Sequence, residues 1–228
     1  MPNQTFINPE TLAHQIGTPD LPIILDIRLE EDIATDPVRL PTARVHPWSG
    51  SDAVLPRVSG QKTVVVCHRG LKLSQGAAAL LRAEGFDAVV LRGGAQGWIS
   101  AGLPTLPLSS PQETPGRWCM SLCPTADEAV AAWILRRFVD PKTQFLAVEE
   151  DQKDAVADRF GAEILPASPS DLATRFSLTT WLALLLTRAH LLTPFLDGAC
   201  QSNSNPTERF EFAITLVDLL YRAEGPLQ

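Results

Sequence analysis

VVVCHRGLKLSQGAAALLRAEGFDAVVLRGGAQGW, residues 64–98, runs a β-branched strand into a cysteine-bearing loop, a small-residue helix, a second apolar strand and a Gly-Gly turn. "TVVVC" at 63–67 predicts a buried strand. Ser74 then opens a helix whose Ala77, Leu80 and Leu81 share one face and which Gly85 ends. "DAVVL" at 87–91 is the next strand, Gly93 and Gly94 form a turn, and "AQGWISAG" a last short helix. Upstream, "NPETLAHQI" at 8–16 reads as a short helix, "LPIILDIR" at 21–28 as a buried strand with a polar end, and "RLPTARVHPW" as a turn and short strand. Strands alternating with helices predict an α/β fold, a mostly parallel sheet covered by helices. Cys67 falls where one of its strands finishes.

The 228 residues, 45% hydrophobic and 20% charged, are enough for two modest domains. A Pro- and Ser-rich stretch, "LPTLPLSSPQETPG" at 103–116, marks the boundary. The expected organisation is a first domain over 1–106, a linker over 107–116 and a mainly helical α/β domain over 117–228. In the second domain Thr125 and Glu128 form a capping box, and Val130, Trp133, Ile134 and Phe138 make a helical stripe up to Pro141. "QFLAV" and "AEIL" are strand candidates flanking the helix "EEDQKDAVADRF", which Gly161 stops. Two further helices are expected at roughly 177–192 and 207–223.

Formal charge is −7, with 9 basic and 10 acidic residues up to position 106 and 10 basic and 16 acidic beyond it. Neither part has the basic balance of a nucleic-acid binder. The longest apolar stretch, "WLALLLTRAHLL" at 181–192, is interrupted by Arg188 and His190 and is too short to span a bilayer. The N-terminus lacks a signal-peptide pattern, so the expectation is a cytoplasmic, reducing location with all four cysteines as thiols.

A thiol between a strand and a helix faces that helix's unpaired N–H groups and positive end, which favour the thiolate. Arg69 and Lys72 add positive charge, and Gly70 lets the backbone turn so that several N–H groups converge on one anion. Attack on an electrophilic atom of an oxyanion, followed by transfer of that atom, would use such a nucleophile. The structural alternative is an inert cysteine at a strand end. His68 is a candidate to bond a donor oxygen or assist protonation, or else is merely solvated.

Residues 6–106 resemble a single-domain rhodanese. "LDIR" is similar to that family's Asp-x-Arg strand, "CHRGLKLSQGAAALL" to its active-site loop and helix, and "GFDAVVLRGGAQGW" to its closing strand, Gly-Gly turn and Trp. The resemblance implies a five-stranded parallel sheet and a persulfide on Cys67, taken from a small anionic sulfur donor such as thiosulfate and passed to a thiol acceptor. It makes Cys67 the nucleophile, the amides of His68, Arg69, Gly70, Leu71, Lys72 and Leu73 the cradle, and Asp26 and Arg28 a brace, unless those two form a plain surface ion pair. Gly93, Gly94 and Trp98 would serve the fold, and no cofactor or metal is implied. Leu73, between Lys72 and Ser74, departs from the family pattern: either the loop is one residue longer or the helix begins early. A longer loop resembles those of cell-cycle phosphatases and rhodanese-like arsenate reductases, although Leu73 stands where they carry an Arg. Thiol-based reduction of a chromate- or arsenate-like oxyanion is one alternative function, and a non-enzymatic oxyanion or redox sensor or partner-binding protein is another.

"RWCMSLCPTADEAVAAWILRRFVDPKTQFLAV" at 117–148 resembles the opening of the chromate-resistance ChrB family, in Arg117, Trp118, Pro124, Asp127, Trp133, Arg136, Arg137, Phe138, Asp140 and Phe145. Fusions of the two modules are described as sulfurtransferase/chromate-resistance proteins, which implies a link to chromate. The chain departs from that family where Ala131 and Ala132 replace its Cys-Pro, and it lacks a His and Cys ahead of Phe176 and Ser177. Arg136 and Arg137 suit either an anion site or the negative end of their helix. Cys119 and Cys123 are possible resolving thiols for Cys67, a redox pair, or buried thiols without a role; as a zinc site they lack a second pair. Cys200 reads as incidental in a polar loop.

Overall fold

The structure is a computed structural model that describes residues 5–49, 60–108 and 116–224. The chain divides into two compact units, residues 1–110 and 111–228. Residues 109–115, most of the expected linker, lie outside the described residues.

In the first unit, the main strands are β1 (Phe6–Ile7), β2 (Ile23–Asp26), β4 (Arg44–Val45), β5 (Thr63–Val66) and β6 (Ala88–Leu91). They form a five-stranded sheet, all parallel, in the order β1-β6-β5-β2-β4. Ile24, Leu25, Val64, Val65 and Val66 are almost wholly buried. That is why the strands read as continuous aliphatic runs instead of alternating: helices flank the sheet and cover it. Besides α1 (Pro9–Ala13) and α2 (Glu30–Thr35), the helices of this unit include α3 (Lys72–Ala83) and α4 (Gly94–Ser100). Ala77, Ala78 and Leu81 of α3 pack with Leu25, Ile27, Val65 and Val90, and Cys67 belongs to the same cluster. Trp98 of α4 is fully buried and donates its indole N–H to the Pro104 carbonyl at 2.8 Å, a fold role as expected. An antiparallel pair, β3 (Val38–Arg39) with β7 (Leu106–Pro107), ties the end of this unit back to its middle.

The second unit holds a small parallel sheet of β8 (Arg117–Ser121), β9 (Gln144–Val148) and β10 (Glu163–Ile164), in the order β10-β8-β9. The helix expected from the capping box at Thr125 is α5 (Ala126–Ile134), closed by a π-turn over Leu135–Val139. Its capping box is complete: Thr125 Oγ1 accepts from the Glu128 N–H at 3.1 Å, and Glu128 Oε2 from the Thr125 N–H at 3.0 Å. Then come α6 (Lys153–Phe160), α7 (Pro169–Arg175), α8 (Thr179–Arg188), α9 (Thr193–Ser202) and α10 (Pro206–Glu224). Gly161, at φ 61°, closes α6 as expected. Sequence reading missed α7 and α9, both short, with Pro at the first turn and polar residues interrupting any apolar period.

Arg136 and Arg137 are held in ion pairs. Arg137 grips Asp218 through two bonds of 3.0 and 2.7 Å, the carboxylate that also accepts the Trp133 indole N–H at 2.7 Å, and Arg136 pairs with Glu211 at 2.9 Å. Both guanidiniums thus bind α5 and its π-turn to α10. Among the described residues no helix is long and apolar enough to cross a membrane.

Candidate functional site

Cys67 follows directly on β5, and the chain turns within four residues into α3. The residue is 5% exposed and its thiol donates to Ser74 Oγ at 3.1 Å, while Ser74 Oγ donates to the Leu71 carbonyl at 3.3 Å. Ser74 was expected to open the helix; instead it is the third residue of α3, fully buried, with its hydroxyl turned to the sulfur. The helix begins at Lys72, so Leu73 does not lengthen the loop. Its half-buried side chain packs against the cluster that contains Val65 and Ala77. The Gln75 N–H reaches back to the Leu71 carbonyl at 3.0 Å, so the amides of Lys72, Leu73 and Ser74 stand ahead of the first helical bond, at the positive end of the helix.

Two glycines allow the loop to close. Gly70 has φ 69°, and a Cβ there would meet the Leu91 carbonyl oxygen at 2.5 Å. Gly94 has φ 61°, and a Cβ there would run into the Cys67 carbonyl oxygen and come within 2.7 Å of that of His68. Those carbonyls are held from below by α4: the Ala95 N–H donates to Cys67 O at 2.9 Å and the Gln96 N–H to His68 O at 3.0 Å. The Gly93-Gly94 turn is therefore a support for the cysteine loop as well as a chain reversal. Gln75 Nε2 adds a bond to the Gly70 carbonyl at 3.3 Å.

Asp26 and Arg28 are fully buried and paired at 2.7 Å, which removes the surface ion-pair alternative. Asp26 is in register with Val66, so the pair stands beside the end of β5. Arg28 also donates to the carbonyls of Asp36 (3.1 Å) and Val38 (2.7 Å). Burial pushes the Asp26 carboxyl above the ordinary carboxylate value, and its bonds to Arg28 oppose that push. The segment Arg28 fixes brings Asp36 Oδ2 to 3.9 Å from His68 Nδ1, a nitrogen that is otherwise enclosed without a hydrogen-bond partner. Sequence reading had no signal for this approach. Arg69, Leu71 and Lys72 are exposed at the rim. Among the described residues, neither Arg69 nor Lys72 is held in an ion pair.

Cys67, His68, Arg69, Gly70, Leu71 and Lys72 thus follow the carboxyl end of β5, and Asp26 and Arg28 stand at the carboxyl end of its neighbour β2. The other cysteines correct two expectations. Cys123 is not a free thiol: it forms a disulfide with Cys200, which is therefore not incidental. Cys67 and Cys119 are the free cysteines among the described residues. Cys119 lies on the central strand of its sheet with no exposure, and burial pushes its thiol up against the opposing charge of Lys153. Neither is therefore an exposed free thiol: Cys119 is buried and Cys123 is bridged. The 77-residue separation of Cys123 and Cys200 hid their pairing from sequence reading.

Compared with known proteins, the chain has solved neighbours that are rhodanese-like domain proteins. A rhodanese-related protein of Thermoplasma volcanium is 24% identical, with a TM-score of 0.39 over 45% of this chain and 97% of that one. A thiosulfate sulfurtransferase of Pseudomonas aeruginosa is 23% identical, with a TM-score of 0.40 over 78% of this chain and 29% of that one. An uncharacterized protein of Synechocystis, slr1261, is 33% identical over 105 residues, 44% of this chain; the match spans 55% of that relative's length. No family model matches the chain.

Proposed function

We propose that the first unit is a rhodanese-type sulfurtransferase in which Cys67 carries sulfane sulfur. The observation that carries this reading is the setting of the Cys67 sulfur: at a strand end, ahead of the free amides of α3, 3.1 Å from the Ser74 hydroxyl, and followed in the chain by the exposed cations Arg69 and Lys72. The Cys67 thiolate attacks the outer sulfur of an anionic donor such as thiosulfate. A sulfur–sulfur bond forms to Cys67, the donor's own sulfur–sulfur bond breaks, and sulfite leaves with the electron pair. The loop and helix amides hold the sulfonate oxygens during attack. A thiolate acceptor then takes the outer sulfur and regenerates the Cys67 thiolate.

Leu73 inside α3 favours sulfur transfer over reduction or dephosphorylation of a larger oxyanion, because the loop loses the extra residue on which that alternative rested. A link to chromate rests on the resemblance of residues 117–148 alone. Thiocyanate release from thiosulfate and cyanide tests the proposal: turnover by the full chain that Cys67→Ser removes supports it. Thiosulfate binding without turnover would instead support the non-enzymatic sensor.

A further inference from the structure

The disulfide between Cys123 and Cys200 joins the turn after β8 to the last turn of α9, and sulfur transfer at Cys67 makes no use of it. Cys123 is exposed and Cys200 half-buried, so the bridge is open to solutes. Arg209, in the first turn of α10, points Nη1 at Cys123 Sγ, 3.0 Å away, and its Nε is enclosed without a hydrogen-bond partner. The two sulfurs are therefore unequal. A guanidinium beside Cys123 stabilises negative charge there once the bridge opens. Cys200 stands in the last turn of a ten-residue helix, at its negative end, which disfavours an anion.

We propose that Cys123–Cys200 is a second thiol-chemistry site, a disulfide that exchanges with thiol reductants and in which Cys123 is the leaving sulfur. A reductant thiolate attacks Cys200 Sγ. A new sulfur–sulfur bond joins the reductant to Cys200, the Cys123–Cys200 bond breaks, and its electron pair stays on Cys123 as a thiolate beside Arg209. A second reductant thiolate attacks the reductant's sulfur in this mixed disulfide and frees Cys200, which takes a proton from water. Two thiols leave as one disulfide, and the protein gains two electrons.

The test uses the full chain in its folded state with millimolar reduced glutathione at neutral pH, quenched in acid at intervals and peptide-mapped by mass. The bridge should open without denaturant, with glutathione first found on Cys200 and Cys123 free. In a Cys200→Ser background, Arg209→Gln should slow iodoacetamide labelling of Cys123 by about 3- to 10-fold, and Arg209→Lys should restore most of the rate. Three results would overturn the proposal: a bridge that yields only after unfolding, glutathione found first on Cys123, or labelling indifferent to Arg209. The mapping needs no variant, so a misfolded Cys200→Ser chain would not leave the question open.

Discussion

Replacing Gly94 by alanine separates support of the cysteine loop from ordinary backbone preference. Gly94 has φ 61°, and an added Cβ would meet the Gly70 nitrogen at 2.5 Å and the His68 carbonyl oxygen at 2.7 Å. Left-handed backbone costs an alanine about 1–2 kcal/mol. Forcing a methyl into packed backbone that cannot swing aside adds about 1–3 kcal/mol. The first unit should therefore lose about 2–5 kcal/mol, and at about 4–8 °C per kcal/mol its thermal midpoint should fall by at least about 8 °C. Gly85→Ala is the matched control: φ is 86°, yet nothing lies within 4 Å of the added Cβ. It should lose only the backbone cost and keep full reactivity of Cys67. Thermal melts of both variants, read beside iodoacetamide labelling of Cys67, decide the matter. If Gly94→Ala melts with Gly85→Ala and labels at the wild-type rate, the Gly-Gly turn does not hold the loop and the reasoning fails.

Ser74→Ala removes the hydroxyl next to the Cys67 sulfur; a bond of about 1 kcal/mol predicts sulfur loading slowed about 3- to 10-fold, read by stopped alkylation. Asp26→Asn leaves Arg28 buried beside a neutral amide and should destabilise the first unit by about 3–5 kcal/mol in urea titration, with Arg28→Met in the same chain recovering part of the loss. Lys72→Ala should raise KM for thiosulfate more than it lowers kcat, and added salt should have the same effect on the wild type. In the second unit, burial opposes ionisation of Glu128, but bonds from Lys153, the Thr125 amide and Ser121 outweigh it and hold the carboxyl below its ordinary value. A depressed carboxyl contributes stability above its unfolded value that is lost as pH falls through the folded one. The thermal midpoint of this unit should therefore drop on acidification below about pH 4.5, and Glu128→Gln should flatten that drop.

The sequence revealed most about the first unit, where local and global signals agree. The Val run of β5, the small-residue face of α3 and the Gly93-Gly94 turn each have a short-range signature, and together they place Cys67. Leu73 was ambiguous because the start of a helix depends on packing: its side chain finds the core, which draws Lys72 and Leu73 into α3 and turns Ser74 toward the sulfur. The approach of Asp36 to His68 depends on Arg28 pinning a segment up to ten residues away, which no periodicity records. In the second unit the capping box was legible because it is local. The Cys123–Cys200 bridge and the Asp218 partners of Trp133 and Arg137 join residues about eighty positions apart, so they emerge only with the fold.

The central claim is that Cys67 carries sulfur. Peptide mass mapping of the full chain after thiosulfate should find one added sulfur on the peptide that holds Cys67. That adduct should be lost on treatment with cyanide and absent from Cys67→Ser. An unmodified Cys67 peptide, or an added sulfur that maps to another cysteine, would contradict the account.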